Sequence, residues 1–493
     1  MTTTPAEQRE PRQSGGGLRR ELHFWEAIAL SIGIMAPTAA MALNGVGVSA
    51  LIGRAVPLAF ILAAVGVMLV SYAFWRLSTH FSHAGSVYAF SGVTLGPEAG
   101  FFSGWALFGT YLAFTAASTA ETGLFGIAFF KGSGIWNSAS WIVIALVAGG
   151  LIAVFAYSEI RLTTRALLTF EGISVTLIVI LVVIIFVKLI AGTAPQNQGF
   201  TADIFKVPGG TSLDTVATAA VFGFLSFAGF EGAAALGEET ADPRRNIPRA
   251  IATAVIALSV FYFVVICAQT LGYGTNAAGV KAFSGSAGPF NDLSKLYAGS
   301  ALRDLINLGA TISAFASGLG TATAGSRILF ALSRDGAPAA PTGMVSKRTG
   351  APVGALVVVM TVALVAVVVQ RIVGTSAVNA FFYPGIIGVL SLLVAYMVTN
   401  LGAIKFLWVD GRRAPLWQIP IPILGMAFLG YVIYKQVSGQ SFPYDRFPYV
   451  VLGWLVLSLV VVVAAPGLAR RLGDGLARRE GMAEAPPEPA GAP

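Results

Sequence analysis

Apolar runs of about twenty residues recur between residues 24 and 466 with few charges inside them, and a run of that length crosses the hydrocarbon of a bilayer as one helix. In hydrocarbon the backbone must satisfy its own hydrogen bonds, which a helix does within itself. The runs predict twelve helices: 24–51, 57–76, 98–130, 139–157, 166–191 and 214–239, then 249–273, 300–333, 353–371, 376–404, 418–436 and 446–466. Composition agrees, with 56% of residues hydrophobic and 11% charged against about 25% charged in an ordinary soluble protein. The chain reads as an all-α polytopic membrane protein embedded in a lipid bilayer.

Several functions are set aside on the same grounds. Lys and Arg exceed Asp and Glu by 8, but in a membrane protein such an excess records where the loops lie, so no nucleic-acid partner is implied. Cys267 is the one cysteine and forms no internal disulfide. His23, His80 and His83, without an HExxH or CxxC motif, offer little for a metal, and no GxxxxGK[ST] loop is present. No cofactor is implied. An enzyme would need a convergent nucleophile, base or metal set, and none is found.

Charge orients the bundle. With both termini cytoplasmic, 21 of the 31 basic residues fall on the inner side and 10 on the outer, a bias that suits an even number of spans. Residues 1–22 and 467–493 read as cytoplasmic tails without ordered structure. The stretch 76–102 reads as a short helix at the inner interface, and 274–299 as an outer loop with a short helix.

Two spans carry breaks: SIGIMAPTAAMAL, Ser31 to Leu43, with Gly33 and Pro37, and VFGFLSFAGFEGAAALGEET, Val221 to Thr240, with Gly229 and Gly232. Glycine and proline also serve packing or kinks in a single membrane helix. Two breaks five spans apart instead point to an alternating-access transporter of inverted-repeat design, because unwound backbone needs protein, water or a ligand to partner it. Each break brings carbonyls and amides to mid-membrane, which suits a zwitterion: a carboxylate at Ala36 to Thr38 and an ammonium at Ile32, Gly33, Phe227 and Ala228. The candidate substrate-binding residues are therefore Ile32, Gly33, Met35, Ala36, Pro37, Thr38, Phe227, Ala228, Gly229 and Phe230.

Carboxyl groups at membrane depth are costly and need a proton, water or a partner. Glu231, beside the second break, and Glu171, in span five, are the candidates for coupling or gating. Glu231 has four readings: proton sensor, organiser of the unwound segment, partner of a cationic substrate, or cap of the half-helix from Gly232. Glu121 in span three is expected near the outer end of its helix. Glu238, Glu239 and Asp242 followed by Arg244, Arg245 and Arg249 read as an inner gate or loop ion-pair cluster. Phe108, Tyr111, Ser313, Ser317 and Tyr383 are candidate walls; Ser313, Ser317, Thr321 and Thr323 suit either sodium ligation or helix packing.

These residues also carry a resemblance. FGFLSFAGFEGAAALGEETADPRRNIPRAI, Phe222 to Ile251, is similar to the sixth span and following loop of amino acid-polyamine-organocation permeases. HAGSVYAF with GPEAGFFSGW resembles the entry to the third span of that family, and GSRILFALSRDGAPA resembles its eighth-span end. The resemblance implies a leucine-transporter-type core over 23–405, with five spans, five inverted spans and discontinuous helices 1 and 6, followed by two C-terminal helices over 406–466. It implies transport of amino acids or related amines. Where the family often has a Gly-Ser-Gly run, this chain has Met35, Ala36, Pro37 and Thr38; where proton-coupled relatives carry a lysine in span five, it has Phe170 and Glu171. The reading is a secondary active transporter of a bacterial inner membrane, with the proton as first coupling ion and substrate exchange second. A transport-incompetent sensor on the same fold is the alternative.

Overall fold

The computed structural model describes residues 21–336 and 340–479. Helices dominate it. The chain runs through α1 (Phe24–Met35), α2 (Pro37–Ile52), α3 (Val56–Ser78), α4 (Val87–Leu95), α5 (Pro97–Gly132), α6 (Trp141–Tyr157), α7 (Ile160–Ile190) and α8 (Leu213–Leu225). A 3-10 helix, Phe230–Leu236, follows, then α9 (Pro243–Tyr273), α10 (Ala277–Ser284), α11 (Pro289–Tyr297) and α12 (Ser300–Gly336). The remainder is α13 (Val353–Ile372), α14 (Ala377–Ile404), α15 (Pro420–Val437), α16 (Phe447–Ala464) and α17 (Pro466–Arg479).

Every apolar run read from the sequence is helical. Among the described residues ten helical segments are long and apolar enough to cross a membrane, and Trp141–Tyr157, with 17 residues, is a shorter apolar helix. The outer helices turn Val147, Leu151, Val154, Val357, Val365, Val460 and Val463 outward, as lipid-facing surfaces do. The inner helices do the reverse: α1 packs against α9, α7, α12 and the 3-10 helix, and α5 lies along α12 and α14.

Small residues set how closely these helices approach. On α5, a Cβ at Gly109 would stand 2.3 Å from the Trp454 indole nitrogen, so α16 seats there only because that position is bare. The contact is reciprocal: the Trp105 indole N–H donates to the Trp454 carbonyl at 3.1 Å and the Trp454 indole N–H to the Trp105 carbonyl at 3.0 Å, with the rings stacked at 4.5 Å.

Three segments depart from the sequence reading. The expected interfacial helix within 76–102 is α4, and it is buried, with Tyr88, Ala89 and Ser91 at 0% exposure. Gly92 and Gly100 let α4 lie directly against α5, which leaves no face for the membrane surface. The loop 274–299 folds into two helices, α10 and α11. Pro466–Arg479, in the stretch expected to be a tail, forms α17. There Leu468 and Leu472 pack over Gly336 and Leu476 over Gly92, an apolar face at helical spacing. The other tail residues, 1–20 and 480–493, lie outside the described residues.

Candidate functional site

The first break is one residue wide. Ala36 adopts the left-handed conformation, φ 42° and ψ 66°, between α1 and α2, and its N–H donates to the carbonyls of Ile32 at 3.1 Å and Gly33 at 3.3 Å. Pro37 then opens α2 at its first position, where the missing N–H would have had no partner within the helix. The second break is wider. α8 ends at Leu225, four residues turn, and Gly229, at φ 104°, starts the 3-10 helix. A Cβ on Gly229 would stand 2.1 Å from Ile34 Cγ2, so that close approach requires glycine as much as the dihedral does.

Side chains from neighbouring helices take up the backbone groups that the breaks release. The Tyr262 hydroxyl on α9 reaches both, bonding the Ser226 carbonyl at 2.9 Å and the Met35 carbonyl at 3.4 Å. Ser31 donates to the Phe230 carbonyl at 2.7 Å and accepts from the Ala233 N–H at 2.9 Å. Ser317 donates to the Ile34 carbonyl at 3.2 Å, and the Gly229 N–H reaches the Tyr396 hydroxyl at 3.4 Å. Along the 3-10 helix, the Gly232 N–H turns back to the Gly229 carbonyl at 3.0 Å.

Between the breaks lies a cavity of about 120 Å³. Met35 and Ala36 line it from the first break and Ala228 from the second; Ala39, Leu43 and Asn44 line it from α2. Phe114, Ser118 and Glu121 come from α5, Ser317 from α12, and Phe381, Phe382 and Ile386 from α14. Of the sequence-derived candidates, Ile32, Gly33, Pro37, Thr38, Phe227, Gly229 and Phe230 do not line it. Phe227 packs on Tyr262 at 5.0 Å, and Phe230 on Phe74 at 5.2 Å and Tyr396 at 5.0 Å. Thr38 instead donates to Ser174 at 3.0 Å.

Three carboxyl groups buried at membrane depth, Glu231, Glu171 and Glu121, differ in their partners. Glu231, fully buried, accepts from Tyr111 at 2.7 Å and from the Tyr396 hydroxyl. Glu171 accepts from Ser313 at 3.1 Å and Ser174 at 3.2 Å, which connects it through Ser174 to Thr38 beside the first break. Glu121, 3% exposed, lines the cavity and has no hydrogen-bond partner among the described residues. Its weight in the site was under-read from the sequence, where it stood at the end of a helix.

A second cavity, about 320 Å³, shares Leu43, Asn44 and Phe382 with the first and extends to Ser286, Gly288 and Asn291 beside α10 and α11. Ion pairs gather toward the C-terminal end of α12, away from α11. Arg327 binds Glu239 through Nε at 2.5 Å and Nη2 at 2.9 Å, and Arg334 binds Glu238 at 2.7 and 2.9 Å. His83 and Arg479 both reach Asp335 at 3.1 Å. Burial by itself would raise the Glu238 carboxyl, but Arg334, with help from His83, outweighs it and holds that group down at about 2. Glu238 and Glu239 of the sequence cluster thus pair with Arg334 and Arg327 of α12 rather than with the adjacent Arg245 and Arg249. Chain adjacency carried no signal for this, because the partners lie 88 and 96 residues away.

Other sequence-derived wall residues fall elsewhere. Tyr383 packs on Tyr444 and Phe447, and Phe108 on Trp105 and Trp454, both away from the cavity. Their neighbours Phe381 and Phe382 take the wall position. Tyr262 was missed altogether; a tyrosine in the middle of an otherwise apolar span was the available signal.

A helical membrane bundle with two broken helices meeting at a cavity has the architecture of a transporter. The family model described as amino acid permease matches residues 26–463, and the chain belongs to that family. Relatives include the low-affinity putrescine importer PlaP of Escherichia coli K12, 25% identical over 82% of this chain and 84% of the relative. The branched-chain amino acid permease BcaP of Lactococcus lactis is 25% identical over 82% and 86%, and the methylthioribose transporter of Bacillus subtilis 25% over 67% and 71%. The protein is a permease, a secondary transporter of a small solute, and not an enzyme. It is a multi-pass protein of a bacterial plasma membrane.

Proposed function

We propose that the protein moves an amino acid or a related small amine by alternating access, with the cavity between the breaks as the transport site and the proton as coupling ion. The observation that carries this reading is the closure pattern. The cavity adjoins a wider one toward α10 and α11, while two ion pairs, Arg327–Glu239 buried and Arg334–Glu238 partly so, tie the helices together on the other side. A site approached from one side and sealed on the other is one half of an alternating-access cycle.

The finer architecture belongs to the same proposal. Twelve spans, the first ten forming two inverted repeats of five, would place the breaks in corresponding first members, and the excess of basic residues on the ion-pair side supports a cytoplasmic location for that side and both termini. Met35, Ala36 and Ala228 would then contact substrate, with Ile32, Gly33, Pro37, Thr38, Phe227, Gly229 and Phe230 shaping the breaks behind them. Glu231 and Glu171 are the coupling candidates, since each is buried among hydroxyl donors and tied to a break. The relatives' names span an amine, branched-chain amino acids and a thio-sugar, so the substrate must be read from this cavity itself.

The test is reconstitution in liposomes with a panel of labelled amino acids and amines, under proton and sodium gradients imposed separately. Uptake driven by the proton gradient is expected. Uptake that follows only sodium overturns the coupling, and no uptake or exchange of any compound overturns the substrate class.

A further inference from the structure

Among the described residues Glu121 is the one ionisable side chain on the cavity wall, and no lysine, arginine or histidine lines it there. Glu231 and Glu171 are each held by two hydroxyl-bearing side chains; Glu121 has none, although it is 3% exposed. A buried carboxyl without a partner is costly unless something brings it a proton or a positive charge. Beside the polar Asn44, Ser118 and Ser317, the wall is apolar and aromatic, from Phe114, Phe381, Phe382 and Ile386, and suits a hydrocarbon body.

A carboxylate on the occupant has much less to meet. At the start of α2 Pro37 has no N–H and the Ala36 N–H is already bonded, which leaves the amides of Thr38 and Ala39. At the second break the amides of Phe227, Ala228, Gly229, Phe230, Gly232 and Ala233 all have acceptors within the protein. Ser118 and Ser317 bond one another at 2.9 Å, and the Asn44 side-chain amide on the same wall donates to the Ser226 hydroxyl at 2.7 Å. An ionised Glu121 leaves the cavity short of one positive charge, which a cation supplies and a zwitterion, with zero net charge, does not.

We propose that Glu121 is the counter-ion of the transported molecule, and that the substrate is a small primary amine cation with an apolar body and no carboxylate. This rests on the cavity being the transport site and narrows the substrate class given above. Glu121 is thereby a specificity-determining residue: its carboxylate bonds the ammonium, and the aromatic wall covers the hydrocarbon.

The experiment compares matched pairs that differ only by the carboxylate, isoamylamine against leucine and phenethylamine against phenylalanine. Equilibrium binding is measured on the purified full chain, and uptake in proteoliposomes. Each amine is expected to bind at least tenfold more tightly than its amino acid, and Glu121→Gln to weaken amine binding at least tenfold, with Glu121→Asp losing less. Amino acids that bind as well as the amines, or wild-type amine affinity in a folded Glu121→Gln protein, overturn the assignment. If neither glutamate variant folds, the wild-type amine-to-amino-acid ratio decides alone. Amines that bind but are not carried leave the counter-ion in place and sink the transport reading; amino acids carried without amine binding do the opposite.

Discussion

Arg327 and Glu239 form a buried, two-pronged ion pair between α12 and the segment after the second break, with side chains 3% and 2% exposed. The Arg327 guanidinium also donates to the Thr323 carbonyl at 3.1 Å, so its charge is held at two points. Removing one member of such a pair strands the other charge, at about 3–5 kcal/mol. Arg327→Ala should therefore melt well below wild type in detergent, and Arg327→Met with Glu239→Leu should recover part of the loss. A single variant that melts with the wild type would show that the pair does not hold the seal.

The second pair has a defined acid limit. Glu238 is held down at about 2, below the ordinary carboxylate range, so the stability that it contributes is complete above its unfolded pKa and is lost as pH falls through about 2. The melting-temperature difference between wild type and Glu238→Gln should persist down to about pH 5 and be lost only in stronger acid, where the carboxylate itself takes up a proton. A difference that disappears between pH 8 and 6 would contradict this.

Tyr262 ties the two breaks together through one hydroxyl. Tyr262→Phe keeps the ring contact with Phe227 and deletes only the donor. Orphaning those carbonyls costs about 1–3 kcal/mol. Lower thermal stability with reduced uptake is expected, and wild-type values for both would remove Tyr262 from the site.

Gly229→Leu adds a side chain where a Cβ already meets Ile34 at 2.1 Å, on a backbone with φ 104°. Substrate binding should be abolished, by calorimetry or filter binding, because the two breaks can no longer approach. Wild-type affinity in this variant would defeat the placement of the site.

Glu231→Gln keeps the size of the side chain and one of the two acceptors that Tyr111 and Tyr396 use, turns the other into an amide donor, and cannot carry a charge. Gradient-driven accumulation should fall while counterflow exchange, which needs no net proton movement, persists. Accumulation equal to wild type across pH 5 to 8 would take Glu231 out of coupling.

The helices and both breaks were legible in the sequence for local reasons. Apolar runs of bilayer length leave a chain almost no alternative to helices, and Pro37 and Gly229 mark positions where a helix cannot simply continue. Glu171 and Glu231 stood out because carboxyls in apolar spans are rare. The partners were not legible. Glu239 meets Arg327 and Tyr262 meets Ser226 only after helices far apart in the chain are laid side by side, and no spacing rule along one helix reports a neighbour on another.

The sequence by itself determined that this chain is a helical membrane protein with two weakened spans and a few carboxyls at membrane depth, because those properties follow from hydropathy and from the backbone chemistry of glycine and proline. Only the tertiary structure decided which carboxyl faces the cavity. Glu231 and Glu171 turn into hydroxyl networks built by α5, α7, α12 and α14, whereas Glu121 turns toward open space. That choice depends on the rotation of each helix about its axis, which packing against neighbouring helices sets.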